Sequence, residues 1–301
     1  MPRVIEAEGG ESIELGELID ALETERFDPR DEDGFAAMGP WLARLGRNRR
    51  FLSDLAMAEL ERRFAGQSAA GYGAQVLLLA PPRARFALRA NFWPAREDAV
   101  VRAGGTAPFF YDVAHDHNFS FLTYGYLGPG YWSDDYASDG AARLPGERAG
   151  LVFEERSRLT PGKLMLYRAH RDVHRQLPPD AFSVSLNVLG TDRAQQWRDQ
   201  YRFDVERDQV VETLSIAPSE ALVTLAVELG GAAGEGLARD LAARHPMPRM
   251  RATALAALDD PSAFERACDD VDPAVARMAR AWLADRSVSE KPGRAEDAAA
   301  S

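Results

Sequence analysis

The sequence predicts a mainly β protein, an antiparallel sandwich or barrel with helices at both ends. Three observations carry this reading. Between about residues 70 and 190, short runs with two-residue hydrophobic alternation follow one another, separated by glycine and proline turns with no helical pattern between them. Before that region the apolar residues recur at helical spacing. Beyond Pro218 the chain turns rich in alanine, leucine and arginine and becomes helical again.

The elements follow in order. In "ESIELGELIDALETE" (residues 11–25), Ile13, Leu15, Leu18, Ile19 and Leu22 form one apolar stripe, which predicts an amphipathic helix. A second helical region, residues 34–66, is interrupted near Pro40 and Gly46 and should form two or more helices. Residues 1–69 are thus expected to be a helical segment packing on the β region. In "RFALRANFW", Phe86, Leu88, Ala90 and Phe92 point one way and Arg85, Arg89 and Asn91 the other, as in a strand. "PAREDAVVRAGGTAP" reads as a loop. Strands are expected again in "FFYDVAHDHNFSFLTYGYL", "RAGLVFEE", "KLMLYRAH" and "AFSVSLNVLG", so the β domain spans residues 70–215. In residues 216–286, "MPRMRATALAALDD" and "DPAVARMARAWLAD" align at an offset of 25, matching Pro248 with Pro273, Ala254 with Ala279 and Leu258 with Leu283. This pattern resembles a short HEAT-type repeat with proline in the first helical turn, which implies a surface for a protein partner. Residues 287–301 lack the apolar content to fold and are expected to be a disordered tail.

The formal charge of −11 supplies no basic footprint for nucleic acid. No secretory signal pattern and no apolar window of membrane-spanning length is read, so the expected location is the cytoplasm, without membrane association. One cysteine, Cys268, excludes an internal disulfide and a thiolate zinc cluster; it reads as a small buried residue.

The five histidines are distributed unevenly. His115 and His117 sit two apart at the start of an alternating aromatic stretch, sharing a face with Phe119, Phe121 and Thr123. His170 and His174 are again an even number of residues apart, and a compact sheet can bring the pairs together. Neutral imidazole is a common transition-metal ligand, and three of them leave positions open for substrate and dioxygen. The competing reading is a structural or proton-binding cluster.

The surrounding residues resemble the cupin superfamily, whose first motif offers His-x-His and whose second begins near Pro-Gly and ends in another histidine. "HDHNFSF" matches the first and "TPGKLMLYRAHRDVHR" the second, from Pro161-Gly162 to His174. The resemblance implies a jelly-roll barrel (double-stranded β-helix) and a metal held by His115, His117 and His174. The glutamate usual after His-x-His is replaced by Phe121 and Leu122. Within cupins the chain is most similar to the cysteine dioxygenase and thiol dioxygenase type. That similarity covers roughly residues 70–190 and is carried by "FALRANFWPA", "HDHNFS" and "FSVSLNVLG". It implies Fe(2+), dioxygen as co-substrate, and catalytic roles for Ser185 and Asn187, although the family has histidine and tyrosine where Asn187 and Leu189 stand. Gln75 occupies the region of the family's carboxylate-binding arginine, and the substrate is expected to be a small molecule or peptide other than cysteine. Arg89, Arg168 and Tyr124 are further substrate candidates. His170 has three readings: third ligand in place of His174, proton donor behind the ligands, or an exposed strand-end residue. The alternatives to an oxygenase are a non-oxidative metal enzyme and a non-catalytic binding scaffold.

Overall fold

A computed structural model describes residues 1–62 and 74–289. The expected boundary at residues 69/70 and residues 290–301 of the expected tail lie outside the described residues. The chain opens with β1 (Arg3–Val4), α1 (Leu15–Thr24), α2 (Glu32–Ala36), α3 (Gly39–Arg47) and α4 (Phe51–Glu61). The β region follows with β2 (Val76–Leu78), β3 (Phe86–Trp93), α5 (Ala99–Gly104), β4 (Ala114–His115), β5 (Phe121–Leu127), β6 (Trp132–Ala137) and β7 (Val152–Arg158). It continues through β8 (Leu164–Tyr167), β9 (Asp172–Leu177), β10 (Ser183–Gly190), β11 (Tyr201–Asp204) and β12 (Gln209–Thr213). Last come α6 (Pro218–Arg244), α7 (Pro248–Leu258), α8 (Pro261–Ala267) and α9 (Pro273–Ser289).

The strands pair antiparallel into two six-stranded sheets, ordered β1-β8-β5-β10-β3-β2 and β12-β11-β4-β9-β6-β7. No ladder joins the sheets among the described residues, so of the sandwich or barrel that the sequence suggested, two antiparallel sheets are seen and a closed barrel is not. In the first sheet, alternation sorts the side chains between two cores. Leu88, Ala90, Leu122, Leu164, Leu166, Leu186 and Val188 pack under the N-terminal helices with Leu18, Leu22, Leu42 and Leu45. Their sequence neighbours Ala87, Trp93, Phe121, Met165, Tyr167 and Leu189 turn to the other face. A sheet buried on both faces explains why these strands read as nearly continuous apolar runs. Gly46 permits the helix contact: a Cβ there would stand 2.1 Å from the Tyr124 ring, so α3 lies directly on β5.

Three local expectations are corrected. The segment read as a loop after Trp93 contains α5, and α9 continues through Ser289 past the expected end at 286. The strand expected to run through "HDHNFSFLT" is two strands in different sheets, β4 and β5. Asn118 anchors the crossing by donating to the carbonyls of Gln195 and Arg198, at 2.9 and 3.0 Å. Strand β6 escaped the hydrophobic pattern because its Asp134 and Asp135 are buried, with Asp134 held by Arg156 (2.5 Å) and Arg175 (2.7 Å).

Residues Met1–Ala141 and Pro145–Leu214 form one compact unit, and Ala142–Leu144 with Ser215–Ser301 form another. In the second, Pro248 and Pro273 open α7 and α9, and Phe264 stacks on Trp282 with ring centroids 3.7 Å apart. By length and composition Pro218–Arg244 is apolar enough for a membrane span, contrary to the sequence reading. Gly231, at φ 53 and ψ −141, interrupts it. The kink brings Gly234 against the Ala226 carbonyl, where a Cβ would lie 1.7 Å from the oxygen, so α6 is two short helices rather than one rod.

Candidate metal centre

His115 on β4 and His174 on β9 are direct cross-strand partners, which places their side chains on one face of the second sheet. His117 follows just beyond the end of β4. Its Nε2 lies 3.2 Å from His174 Nε2, which lies 3.3 Å from His115 Nε2. One ligand atom from each of the three falls within 4.8 Å of the others. Phe121 and Tyr167 of the opposite sheet close over them, with ring centroids 6.0 and 4.9 Å from that of His174.

The protonation state suits cation binding. His115 Nδ1 is 2.9 Å from the Val113 carbonyl, which can only accept, so the proton sits on Nδ1 and the Nε2 lone pair faces the cluster. Burial pushes all three imidazoles below the usual histidine range, His117 and His174 well below it. The neighbouring histidines and the Arg89 guanidinium add to this at His117, as His115 and Arg89 do at His174. Three neutral imidazoles whose Nε2 atoms converge are a donor set that fits a divalent transition metal.

These shifts have a measurable consequence. The folded imidazoles resist protonation, whereas unfolded histidines take a proton near pH 6.5. Below that pH the unfolded state binds more protons, so stability is fully present above about 6.5 and is lost as pH falls, by up to about 1.4 kcal/mol per unit for each imidazole. Urea denaturation of the metal-free protein should show a falling midpoint between pH 7.5 and 5.5. A flat or rising midpoint would contradict the buried neutral cluster.

His170 is placed outside the cluster. It sits in the turn between β8 and β9 at φ 60, its backbone N–H donates to the His117 carbonyl (2.8 Å), and its Nδ1 is 2.9 Å from Asp116 Oδ2. Asp116, pointing away from the histidine face, also accepts the Tyr201 N–H at 2.6 Å. His170 and Asp116 together therefore fix the backbone between the two clustered histidines of "HDH".

A cavity of about 350 Å³ opens over the cluster, and Gln75, Arg89 and Asn187 of the sequence candidates line it. Gln75 is held there by its amide, which donates to the Phe109 carbonyl (3.2 Å). Ser185 lies behind the lining, accepting from Trp93 Nε1 at 3.0 Å and from the Asn187 amide at 3.3 Å. Two candidates are elsewhere. Tyr124 faces the helices because it has the opposite strand parity to Phe121, and packs on α3. Arg168 stands at the end of β8, paired with Asp172 at 2.8 Å.

Sequence reasoning missed several cavity residues. Gln176 had a signal, being two residues beyond His174 on the same strand face; its amide is at the edge of hydrogen-bonding distance, 3.5 Å from His174 Nδ1. Tyr131, just after β5, lines the same cavity. Burial pushes its phenol well up, so it keeps its proton. Gln200 reaches the cavity from a distant loop and had none. Behind the cluster, fully buried Asp135 accepts from Ser133 (2.9 Å), Ser157 (3.1 Å) and Tyr167 (3.1 Å), and burial raises its pKa.

A scan against protein-family models and a search of curated proteins found no match. Among solved structures, the chain is similar to the DMSP lyase DddQ from Ruegeria pomeroyi DSS-3, with TM-score 0.28 and 11% identity over 64% of this chain and 79% of that one. It is also similar to vicilin from Corylus avellana (hazelnut), with TM-score 0.22 and 8% identity over 45% of this chain and 34% of that one.

Proposed function

We propose that this protein is a cupin-type, metal-dependent enzyme in which His115, His117 and His174 hold a divalent metal, Fe(2+) in the leading reading, and that it oxygenates an anionic small molecule or peptide. The observation that carries the proposal is the convergence of three neutral imidazoles, His115 and His174 buried and His117 half-buried, at the base of a substrate-sized cavity. Iron bound there would supply the one-electron chemistry that dioxygen requires and that amino-acid side chains lack. The chain's own residues do the rest. Arg89 lines the cavity with a permanent positive charge suited to a substrate carboxylate. The Tyr131 phenol, holding its proton, can donate a hydrogen bond into the cavity, and Asn187 offers an amide. Phe119, Phe121 and Trp93 keep water from the reacting end.

A second reading keeps the metal and omits oxygen. Asn187 and Leu189 stand where thiol dioxygenases carry histidine and tyrosine, and this favours a Lewis-acid lyase or isomerase as the alternative. The deciding experiment supplies iron-loaded protein with free cysteine and with N-terminal-cysteine peptides, in air and anaerobically. The oxygenase reading expects oxygen uptake that favours the peptides and vanishes in His174→Ala. Turnover that continues without oxygen would replace it with the second reading, and wild-type rates confined to free cysteine would remove the larger-substrate element.

A further inference from the structure

Phe119 forms a wall of two cavities. One holds the histidines, and the other, of about 240 Å³, lies among the start of α2, the end of β8 and the loop after β10. Four guanidinium groups line this second cavity, Arg30, Arg168, Arg171 and Arg198, against the carboxylates of Glu32 and Asp192. Arg30 is committed to Asp28, at 2.8 Å, and Arg168 to Asp172. Arg171 and Arg198 have no carboxylate partner among the described residues. The four guanidinium groups are matched in number by the carboxylates of Asp28, Asp172, Glu32 and Asp192, so what the cavity offers an anion is the pair of arginines without a carboxylate partner rather than a general positive field.

The two cavities also share a wall segment. Asn118 donates to the carbonyls of Gln195 and Arg198 and accepts from the Gln200 amide at 3.1 Å. The same stretch thereby sends Arg198 to the arginine cavity and Gln200 to the histidine cavity. The residues before Phe119 in "HDHNF" serve both ends: His115 and His117 face the reacting centre while Asn118 fixes the loop that carries Arg198.

We propose that the cavities are two halves of one substrate site divided at Phe119, and that the arginine half takes the distal carboxylate of an extended acidic molecule whose other end lies at the histidines beside Arg89. The proposal rests on the metal-centre reading for the identity of the reacting end. Guanidinium groups grip a carboxylate through paired N–H donors, and Arg171 and Arg198 both line this cavity.

The test is calorimetric titration of the full chain, stripped of metal, with acetate and with α,ω-dicarboxylates from succinate to sebacate. Expected is saturable binding of at least one longer dicarboxylate, tenfold or more tighter than acetate. That binding should be weakened at least tenfold by Arg171→Ala/Arg198→Ala and also by Arg89→Ala, with Arg207→Ala as an unaffected control. Binding indifferent to the double variant would overturn the arginine subsite. Equal affinity for acetate and dicarboxylates, or no effect of Arg89→Ala, would overturn the single divided site and leave an isolated anion pocket. Because the titration is run without metal, failure of the metal centre leaves it untouched; metal content measured on the untreated protein scores that reading separately.

Discussion

Gly130→Ala is expected to destabilise the fold by about 3 kcal/mol or more, a loss at the upper end of ordinary point substitutions. Two costs add. Gly130 has φ +83, a backbone conformation that a side chain disfavours, and a Cβ there would stand 1.9 Å from the Leu159 carbonyl oxygen and 2.6 Å from its carbon. The neighbour cannot yield cheaply. Leu159 N–H donates to the Tyr131 carbonyl (3.0 Å), the Gly130 N–H donates to Ser183 Oγ (3.1 Å), and Arg158 Nε donates to the Gly130 carbonyl (3.2 Å). Any displacement also moves Tyr131, whose ring centroid is 4.0 Å from that of Trp93 on the cavity wall. Gly105→Ala is the control: φ is +75 but nothing lies within 4 Å, so it carries backbone strain alone, about 1–3 kcal/mol, and should lose less than Gly130→Ala. Urea unfolding of both variants checks the comparison, and equal losses would contradict the close approach.

Asp116→Ala is expected to lower metal affinity by about 10- to 100-fold, the usual effect of removing a group that orients ligands from behind. The carboxylate connects three chain segments: its own "HDH", His170 in the turn before β9, and the Tyr201 N–H at the start of β11. Without it, the buried Tyr201 donor loses its acceptor and the backbone between His115 and His117 loses its clamp. Asp116→Asn retains an acceptor oxygen and should fall between the wild type and the alanine variant. Competition between protein and a chelator for Co(2+) reads the order directly; an affinity unchanged in Asp116→Ala would show that the histidines are held by packing alone.

Much of this arrangement was legible because a strand repeats every two residues. That rule separates Asp116 from His115 and puts Arg89 and Asn91 opposite Leu88 and Ala90, as observed, while His117 reaches the cluster from just past the end of β4. It also contained the answer for Tyr124, whose parity is opposite to that of Phe121. What the rule could not carry was long-range. The change of sheet between His115 and Phe121 depends on Asn118 bonding residues 77 and 80 positions away. Strand β6 reads as polar because the arginines that neutralise Asp134 lie 22 and 41 positions along the chain. Gln200 and Arg198 reach the two cavities from a loop with no strand periodicity of its own. The break in α6 had a visible source, the Gly230-Gly231 pair, but a glycine pair alone does not distinguish a bend from a reversal.

The most direct test of the central claim is the metal content of protein purified without a histidine tag, compared across wild type, His115→Ala, His117→Ala, His170→Ala and His174→Ala. The three-histidine centre predicts near-stoichiometric transition metal in the wild type and in His170→Ala, and its loss in the other three variants. Absence of metal from the wild type, or metal that survives removal of His115, His117 or His174, would contradict it.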